Sequence, residues 1–259
     1  MRLHLAYSFE LLAPTYTAAH FRAAVEGFYA GAPDGCPCWA FSNHDVIRHA
    51  SRWSGHGAHG DLARQAAALL LSLEGSVCLY QGEELGQTET DILFEELTDP
   101  PGKAFWPDYK GRDGCRTPMV WDGSPQGGFT TGTPWLPVKP PQLARNAAAQ
   151  TGQPGSVLAF YREMLAFRRN TPALRKGRSR FLDVPEPLLA FARGEGPGAV
   201  LCLFNLSPVP LHLALEGCGA ALGPCQAAGK TEEGMTLGPN GFAFLPLVDA
   251  GRLAVLPRS

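Results

Sequence analysis

The sequence predicts an α/β fold in which a parallel sheet with helical crossovers precedes a small antiparallel β region. Apolar runs of strand length alternate with helical patterns in the first part of the chain, which is typical of parallel pairing. Each of these runs ends in polar residues. After about Lys176 only short apolar runs remain, separated by Gly and Pro, and these predict antiparallel strands.

The composition is that of an ordinary globular protein. The chain has 259 residues with 45% hydrophobic content, enough for one large domain or two smaller ones of roughly 100–200 residues each. A net charge of -2 without any block of like charge favours a neutral substrate over nucleic acid or an anionic membrane surface. No apolar stretch is long enough to span a membrane, and the first residues lack a signal-peptide pattern.

The seven cysteines are odd in number, and neither they nor the histidines show metal-ligand spacing. We therefore expect reduced thiols, no metal and no cofactor. Reduced thiols favour a cytoplasmic location, with a periplasmic one left open.

The first predicted strand lies in residues 3–9, and a helix follows over residues 17–29 with Thr17 as its N-cap. A second strand is predicted over residues 38–41. It leads to a helix that Asp61 caps.

A third strand is expected over residues 77–80, after Gly75 ends the preceding helix. Residues 86–152 then show no sustained periodicity, which indicates a long loop that is functional or mobile, or else a wrong assignment of the elements. Ser156 caps a strongly amphipathic helix that stops near Thr171.

The candidate functional residues cluster where the second predicted strand ends. They are Asn43-His44-Asp45, followed closely by Arg48. Polar side chains that follow a buried parallel strand lie at the sheet edge where functional groups gather. The structural alternative is a turn that caps the next helix, because Asn and Asp are favoured N-caps.

This motif resembles the Asn-His-Asp signature of the seventh barrel strand in the α-amylase superfamily of glycoside hydrolases (family 13). Three further segments resemble its α-glucosidase and oligo-1,6-glucosidase branch: residues 80–86, residues 112–119 and residues 128–132. The resemblance implies the C-terminal part of a (β/α)8 TIM barrel, strands six to eight, followed by a small antiparallel β-sandwich domain. The expected boundaries are 1–175 for the partial barrel, with its insertion at about 86–152, and 176–259 for the β domain.

A complete barrel of this type needs roughly 250 residues. The resemblance places the aspartate nucleophile in a Gly-x-Arg-x-Asp-like motif at strand four and the general acid at strand five, and neither motif occurs here. We therefore expect an N-terminally truncated chain whose Met1 is an internal start, which is inactive alone and has the missing N-terminal half of the barrel as a partner.

The resemblance also assigns roles. Asp45 is expected to stabilise the transition state and His44 to donate to a neighbouring sugar hydroxyl. Substrate-binding roles are expected for Asn43, Arg48 and Arg116. For Arg48 the alternatives are orienting Asp45, or a role at the surface or at a helix dipole, and for Arg116 a purely structural salt bridge.

The implied function is a retaining α-glucosidase acting on malto- or isomalto-oligosaccharides or sucrose. A transglycosylating relative is one alternative. A non-catalytic protein that binds sugar or a partner, or one half of a split enzyme, is another.

Overall fold

The computed structural model describes residues 5–231, 234–249 and 254–258. Its first part contains a three-stranded sheet of β1 (Leu5–Tyr7), β2 (Cys36–Trp39) and β3 (Ser76–Val77), in that order. Both pairings are parallel, with Leu5 opposite Cys36 and Cys38 opposite Ser76. The predicted parallel sheet is confirmed.

Helices cross between these strands. Helix α1 (Ala18–Gly31) begins after Thr17, whose hydroxyl accepts a hydrogen bond from the His20 N–H at 3.2 Å, so the predicted N-cap is confirmed. Helices α2 (His49–Arg52) and α3 (His59–Ser72) connect β2 to β3. The predicted cap of α3 is wrong, because the helix starts before Asp61, whose carboxylate instead accepts from Arg64 at 2.6 Å within the first turn.

The strands β2 and β3 differ in extent from the prediction. β2 lies two residues earlier than 38–41, and the buried Ala40 and Phe41 continue beyond its last paired residue. β3 contains two residues where four were predicted, because its only neighbour in the described ranges, β2, ends at Trp39. One more backbone hydrogen bond, from Cys78 N to Trp39 O at 2.8 Å, closes the ladder.

The insertion (residues 86–152) contains no helix longer than five residues, in agreement with its missing periodicity. Its α-helices are α4 (Pro100–Ala104), α5 (Pro140–Leu143) and α6 (Ala147–Gln150). Because the insertion leaves from the end of β3, it covers the edge of the sheet at which β2 also ends.

Helix α7 (Val157–Asn170) follows, and Ser156 caps it by accepting from Ala159 N at 3.1 Å, as predicted. A short α8 (Pro172–Lys176) begins with proline, which suits a first helical position because no N–H is needed there. In the described ranges, no helix combines the length and apolar character needed to cross a membrane.

The last part is an antiparallel sheet in the order β10-β7-β9-β6-β5-β4, with β8 also paired to β9. Its strands are β4 (Ser179–Phe181), β5 (Leu188–Arg193), β6 (Val200–Asn205), β7 (Leu211–Glu216), β8 (Gln226–Thr231), β9 (Gly234–Pro246) and β10 (Ala254–Arg258). The predicted antiparallel pairing is confirmed. The sequence missed β4, β8 and the first half of β9, and Leu253 of the last predicted run lies outside the described residues.

The antiparallel sheet shares a core with the helices. One continuous cluster of buried side chains joins Phe21 of α1 and Leu69 of α3 to Phe204 of β6. The opposite faces of β5 and β6 enter a second cluster with Leu213 and Leu237. The division of the chain at about residue 176 stays a prediction.

Candidate functional site

The turn of Asn43, His44 and Asp45, called the Asn-His-Asp turn below, follows β2 directly. The Asn43 side chain is buried, and its Oδ1 accepts a hydrogen bond from Asp45 N at 2.8 Å. The side chains of His44 and Asp45 are 67% and 43% exposed. A buried strand thus ends in two accessible polar groups at the carboxyl edge of the sheet.

Two arginines of the insertion bind the carboxylate of Asp45. Arg112 Nη1 and Arg116 Nη2 both donate to Oδ1, at 3.2 and 3.1 Å. His44 Nε2 lies 3.4 Å from the other oxygen, Oδ2. Arg116 also donates from Nε to the His44 carbonyl at 2.7 Å, so the insertion fixes both the backbone and the side chain of the turn.

Arg112 is itself bound by a buried carboxylate. Asp99 accepts from Arg112 Nη2 at 2.7 Å and from Nε at 3.0 Å, and the Asp99 side chain is only 1% exposed. The hydrogen bond with Asp99 raises the pKa of Arg112, and Asp45 adds to this effect. The same bond lowers the pKa of Asp99, against the opposing effect of burial. Both groups are therefore charged at neutral pH.

Arg48 lies behind the turn and is 3% exposed, so the surface alternative is wrong. Its Nη1 donates to Gln81 O at 2.6 Å and its Nη2 to Cys115 O at 2.9 Å. The guanidinium also stacks over the ring of Tyr80, 5.1 Å from the centroid. This placement favours a role in positioning the strand ends and the insertion.

Behind the same edge, Glu83 and His49 form a buried contact, with 3.3 Å between Glu83 Oε1 and His49 Nδ1. Ser42 Oγ lies 3.0 Å from His49 Nδ1 and accepts from His49 N at 2.8 Å. Ser42, and neither Asn43 nor Asp45, therefore satisfies the first N–H of α2, and the helix-cap alternative for the motif is wrong.

A cavity of about 560 Å³ opens beside Asp45, between the Asn-His-Asp turn and the insertion. Ile47, Ile92 and Tyr109 supply apolar surface, while Asp91 and Lys110 supply polar groups. Its size is in the range of small-molecule sites. The arrangement is suited to a neutral polyhydroxylated ligand with one hydroxyl on Asp45.

The structure thus brings together His44, Asp45 and Arg116 at the surface, with Asn43 and Arg48 beneath them. Sequence reasoning missed Arg112, although it belongs to the same segment as Arg116 and lies four residues before that second arginine, which was a usable signal. It also missed Asp99, which reaches Arg112 across 13 residues of irregular chain that carry no periodic signal.

Residues 6–177 match the Alpha-amylase family, described as the alpha amylase catalytic domain. A "Probable alpha-glucosidase" of Rhizobium meliloti (strain 1021) is 50% identical over 211 residues, which are 80% of this chain and 38% of that protein. An oligo-1,6-glucosidase of Heyndrickxia coagulans is 33% identical over 187 residues, which are 64% of this chain and 34% of that protein.

Solved structures are similar over nearly the whole chain. The alpha-glucosyl transfer enzyme XgtA superposes with a TM-score of 0.84 at 44% identity, covering 95% of this chain and 46% of that one. The trehalulose synthase MutB from Pseudomonas mesoacidophila MX-45 gives 0.79 at 27% identity, covering 94% and 51%. The chain therefore spans about a third of the length of these curated relatives and about half of these solved chains.

Proposed function

The chain belongs to the α-amylase family of glycoside hydrolases, and on that premise we propose that it forms part of a retaining α-glucosidase for malto-oligosaccharides, isomalto-oligosaccharides or sucrose. In this proposal β1, β2 and β3 are strands six, seven and eight of a (β/α)8 barrel. The carrying observation is the partly exposed Asp45 carboxylate at the end of β2, bound by two arginines.

Asp45 acts in this function without forming a bond to the sugar. A retaining glycosidase passes through an oxocarbenium-like transition state, so the sugar gains positive charge as the glycosidic bond breaks. A carboxylate that accepts a hydrogen bond from a ring hydroxyl is then bound more tightly in the transition state than in the ground state. His44 and Arg116 contact neighbouring hydroxyls, while the buried Asn43 and Arg48 fix the turn.

The nucleophile and the general acid come from strands outside this chain, since neither of the motifs expected for them occurs in it. Those strands are the partner of this part of the barrel. The 259-residue chain by itself is accordingly expected to be inactive.

A chimera tests the proposal. In the 50%-identical relative, the 211-residue matched segment is replaced by the corresponding residues of this chain, and hydrolysis of maltose, isomaltose and sucrose is measured. We expect an active chimera in which Asp45→Asn lowers kcat by about 100- to 1000-fold, the effect typical of losing a preorganised electrostatic group. Glu95→Gln, which removes an exposed carboxylate of the insertion that does not line the cavity beside Asp45, is the control and should leave kcat within about twofold. An inactive chimera, or one indifferent to Asp45→Asn, would contradict the proposal.

Transfer of glucosyl groups to sugar acceptors is the second candidate, because the similar solved structures include a glucosyl transfer enzyme and a trehalulose synthase. Both reactions share the first half and differ in whether water or a sugar enters afterwards. Product analysis of the active chimera on concentrated maltose separates them. Glucose as the main product supports the hydrolase, and a preponderance of new oligosaccharides supports the transferase.

A further inference from the structure

Arg112 contacts Asp45 but is anchored elsewhere, in the insertion. We propose that Arg112, held by Asp99, is a positioning residue that orients the Asp45 carboxylate so that its Oδ2 faces the substrate. The inference deepens the proposed function and rests on it for the identity of the substrate, a glucoside, but the geometry of the three side chains stands independently of activity.

The guanidinium of Arg112 shares its N–H donors between two carboxylates. Its Nε and Nη2 both bind Asp99, and only Nη1 reaches Asp45. A guanidinium is a rigid planar fork, so fixing two of its nitrogens also fixes the direction of the third. Asp99 therefore determines where Arg112 presents its donor to Asp45.

Asp99 is in turn immobilised by its own surroundings. Its backbone N–H and that of Thr98 donate to Asp113 Oδ2 at 2.9 and 2.6 Å. Asp113 is the residue after Arg112, and the backbone N–H of Arg112 donates to Asp99 Oδ2 at 2.9 Å. The segments 98–99 and 112–113 are thus bound to each other on both sides of the Asp99–Arg112 ion pair. The carboxylates of Asp99 and Asp113 are both buried.

The two carboxylate oxygens of Asp45 consequently differ in their hydrogen-bond partners. A carboxylate offers about four lone-pair sites, two on each oxygen. Arg112 and Arg116 occupy both sites on Oδ1, whereas among the described residues Oδ2 has only the His44 contact at 3.4 Å. Oδ2 is therefore the oxygen left to accept a hydrogen bond from a sugar hydroxyl.

Arg112 and Arg116 differ in what they fix. Arg116 binds the carbonyl of His44 and the carboxylate of Asp45, two groups of the same turn. Arg112 connects that turn to the Asp99 segment. Loss of Arg112 is therefore expected to free the Asp45 side chain to rotate and to loosen the backbone of the turn, which then lacks its connection to the Asp99 segment.

The test uses two measurements and a nearby control. Hydrogen exchange of a peptide covering residues 42–48 is followed in the 259-residue chain, and maltose kinetics in the chimera. The variants are Arg112→Gln, Arg112→Lys and Asp99→Asn. The control is Lys103→Gln, at an exposed residue of α4 that lies four positions after Asp99 and does not line the cavity beside Asp45.

We expect exchange in residues 42–48 to quicken several-fold in Arg112→Gln and Asp99→Asn and to stay unchanged in the control. In the chimera, kcat should fall about 10- to 100-fold with KM within about threefold, as for a misplaced group that acts mainly in the transition state. Arg112→Lys should recover part of the activity. The double variant Arg112→Gln with Asp99→Asn should be no slower than Arg112→Gln alone, because Asp99 acts only through Arg112.

Unchanged exchange in Arg112→Gln would overturn the inference whatever the kinetics show. So would a kcat equal to that of the Lys103→Gln control. If the parent chimera is inactive but exchange responds as expected, the proposed function fails and the positioning of Asp45 by Arg112 is supported.

Discussion

The imidazole of His49 is the nearest polar partner of the Glu83 carboxylate in the core behind the site. Neither oxygen of Glu83 has a hydrogen bond in the part of the chain that the structure describes. Removing His49 would take this polar neighbour away from a buried carboxyl group, so we expect His49→Ala to lower the free energy of unfolding by about 1–3 kcal/mol in urea denaturation. In a Glu83→Leu background the same substitution should cost about half as much or less. Equal costs in both backgrounds would show that the two side chains are not coupled.

We expect the free energy of unfolding to depend on pH through His59. Burial lowers the pKa of His59 below 6.5, and the nearby Arg145 lowers it further. Between that lowered pKa and 6.5 the unfolded chain binds more protons than the folded one, so stability rises with pH across this window and is lost as the solution is acidified. Thermal unfolding from pH 7.5 to 5 should show the loss in the parent and a flatter profile in His59→Gln. The same slope in both would rule out His59 as its source.

Among single residues, the sequence predicts those that belong to one contiguous motif. Asp45 and Arg116 belong to contiguous motifs, and the polar end of a buried strand already indicates where Asp45 lies. The side chains that orient them could not be predicted, because Asp99 meets Arg112 and Glu83 meets His49 only through the path of an irregular loop and through strand packing.

The tight turn at Gly111 is the element that presents Arg112. Gly111 has φ +75°, and a Cβ there would lie 2.9 Å from Asp99 Oδ2 and from the Cα of Gly102. Gly152 has the same φ, but a Cβ there would meet nothing within 4 Å. Gly111→Ala should therefore lose more stability than Gly152→Ala, which carries only the backbone strain of about 1 kcal/mol. Chemical denaturation of the two variants measures the difference, and equal losses would mean that the turn tolerates the added methyl.

The carboxyl end of α3 depends on a partly buried arginine from α7, Arg168. Arg168 donates to the carbonyls of Leu71, Leu73 and Gly75 at 2.5, 2.9 and 2.6 Å. Arg168→Met would leave these acceptors unpaired, and we expect a loss of about 2–4 kcal/mol in the free energy of unfolding. Arg169, the next residue, is exposed, and Arg169→Met should change stability by less than about 0.5 kcal/mol. Similar effects of the two substitutions would contradict this account of the helix end.

Elements with a clear period were predictable, and those without one were not. Helices α1 and α7 follow from apolar spacing and from their Thr17 and Ser156 caps. Strand β8 was missed because Gln226–Thr231 is largely exposed and carries no apolar alternation. Its strand conformation is stabilised by antiparallel pairing with β9. The start of α3 was misjudged because Asp61 resembles a cap although the helix begins without a side-chain cap.

The whole molecule is held by a core that crosses from the helices to the antiparallel sheet. Buried Arg193 of β5 binds the carbonyls of Ser72, Leu174 and Gly177, and so joins the sheet to α3 and to the segment after α8. Aromatic rings also connect the helices to the sheet, since the ring centroids of Phe160 in α7 and Phe242 in β9 lie 5.6 Å apart. We therefore expect α1, α3, α7 and this sheet to unfold as one cooperative unit.

The three-stranded parallel sheet differs from that unit, because its outer strands have one neighbour each in the described ranges. The side chains of Leu5 in β1 and of Phe9 just after it are 50% and 66% exposed, and Phe9 lines a cavity of about 590 Å³. An unpaired strand edge with exposed apolar side chains promotes association. We expect the 27.7 kDa chain to self-associate in light scattering after gel filtration, and Phe9→Lys to shift it towards the monomer. Val248→Lys, which alters an exposed side chain far along the sequence, should not. A monodisperse monomer with a cooperative melt would contradict the prediction and indicate that this edge is covered in solution.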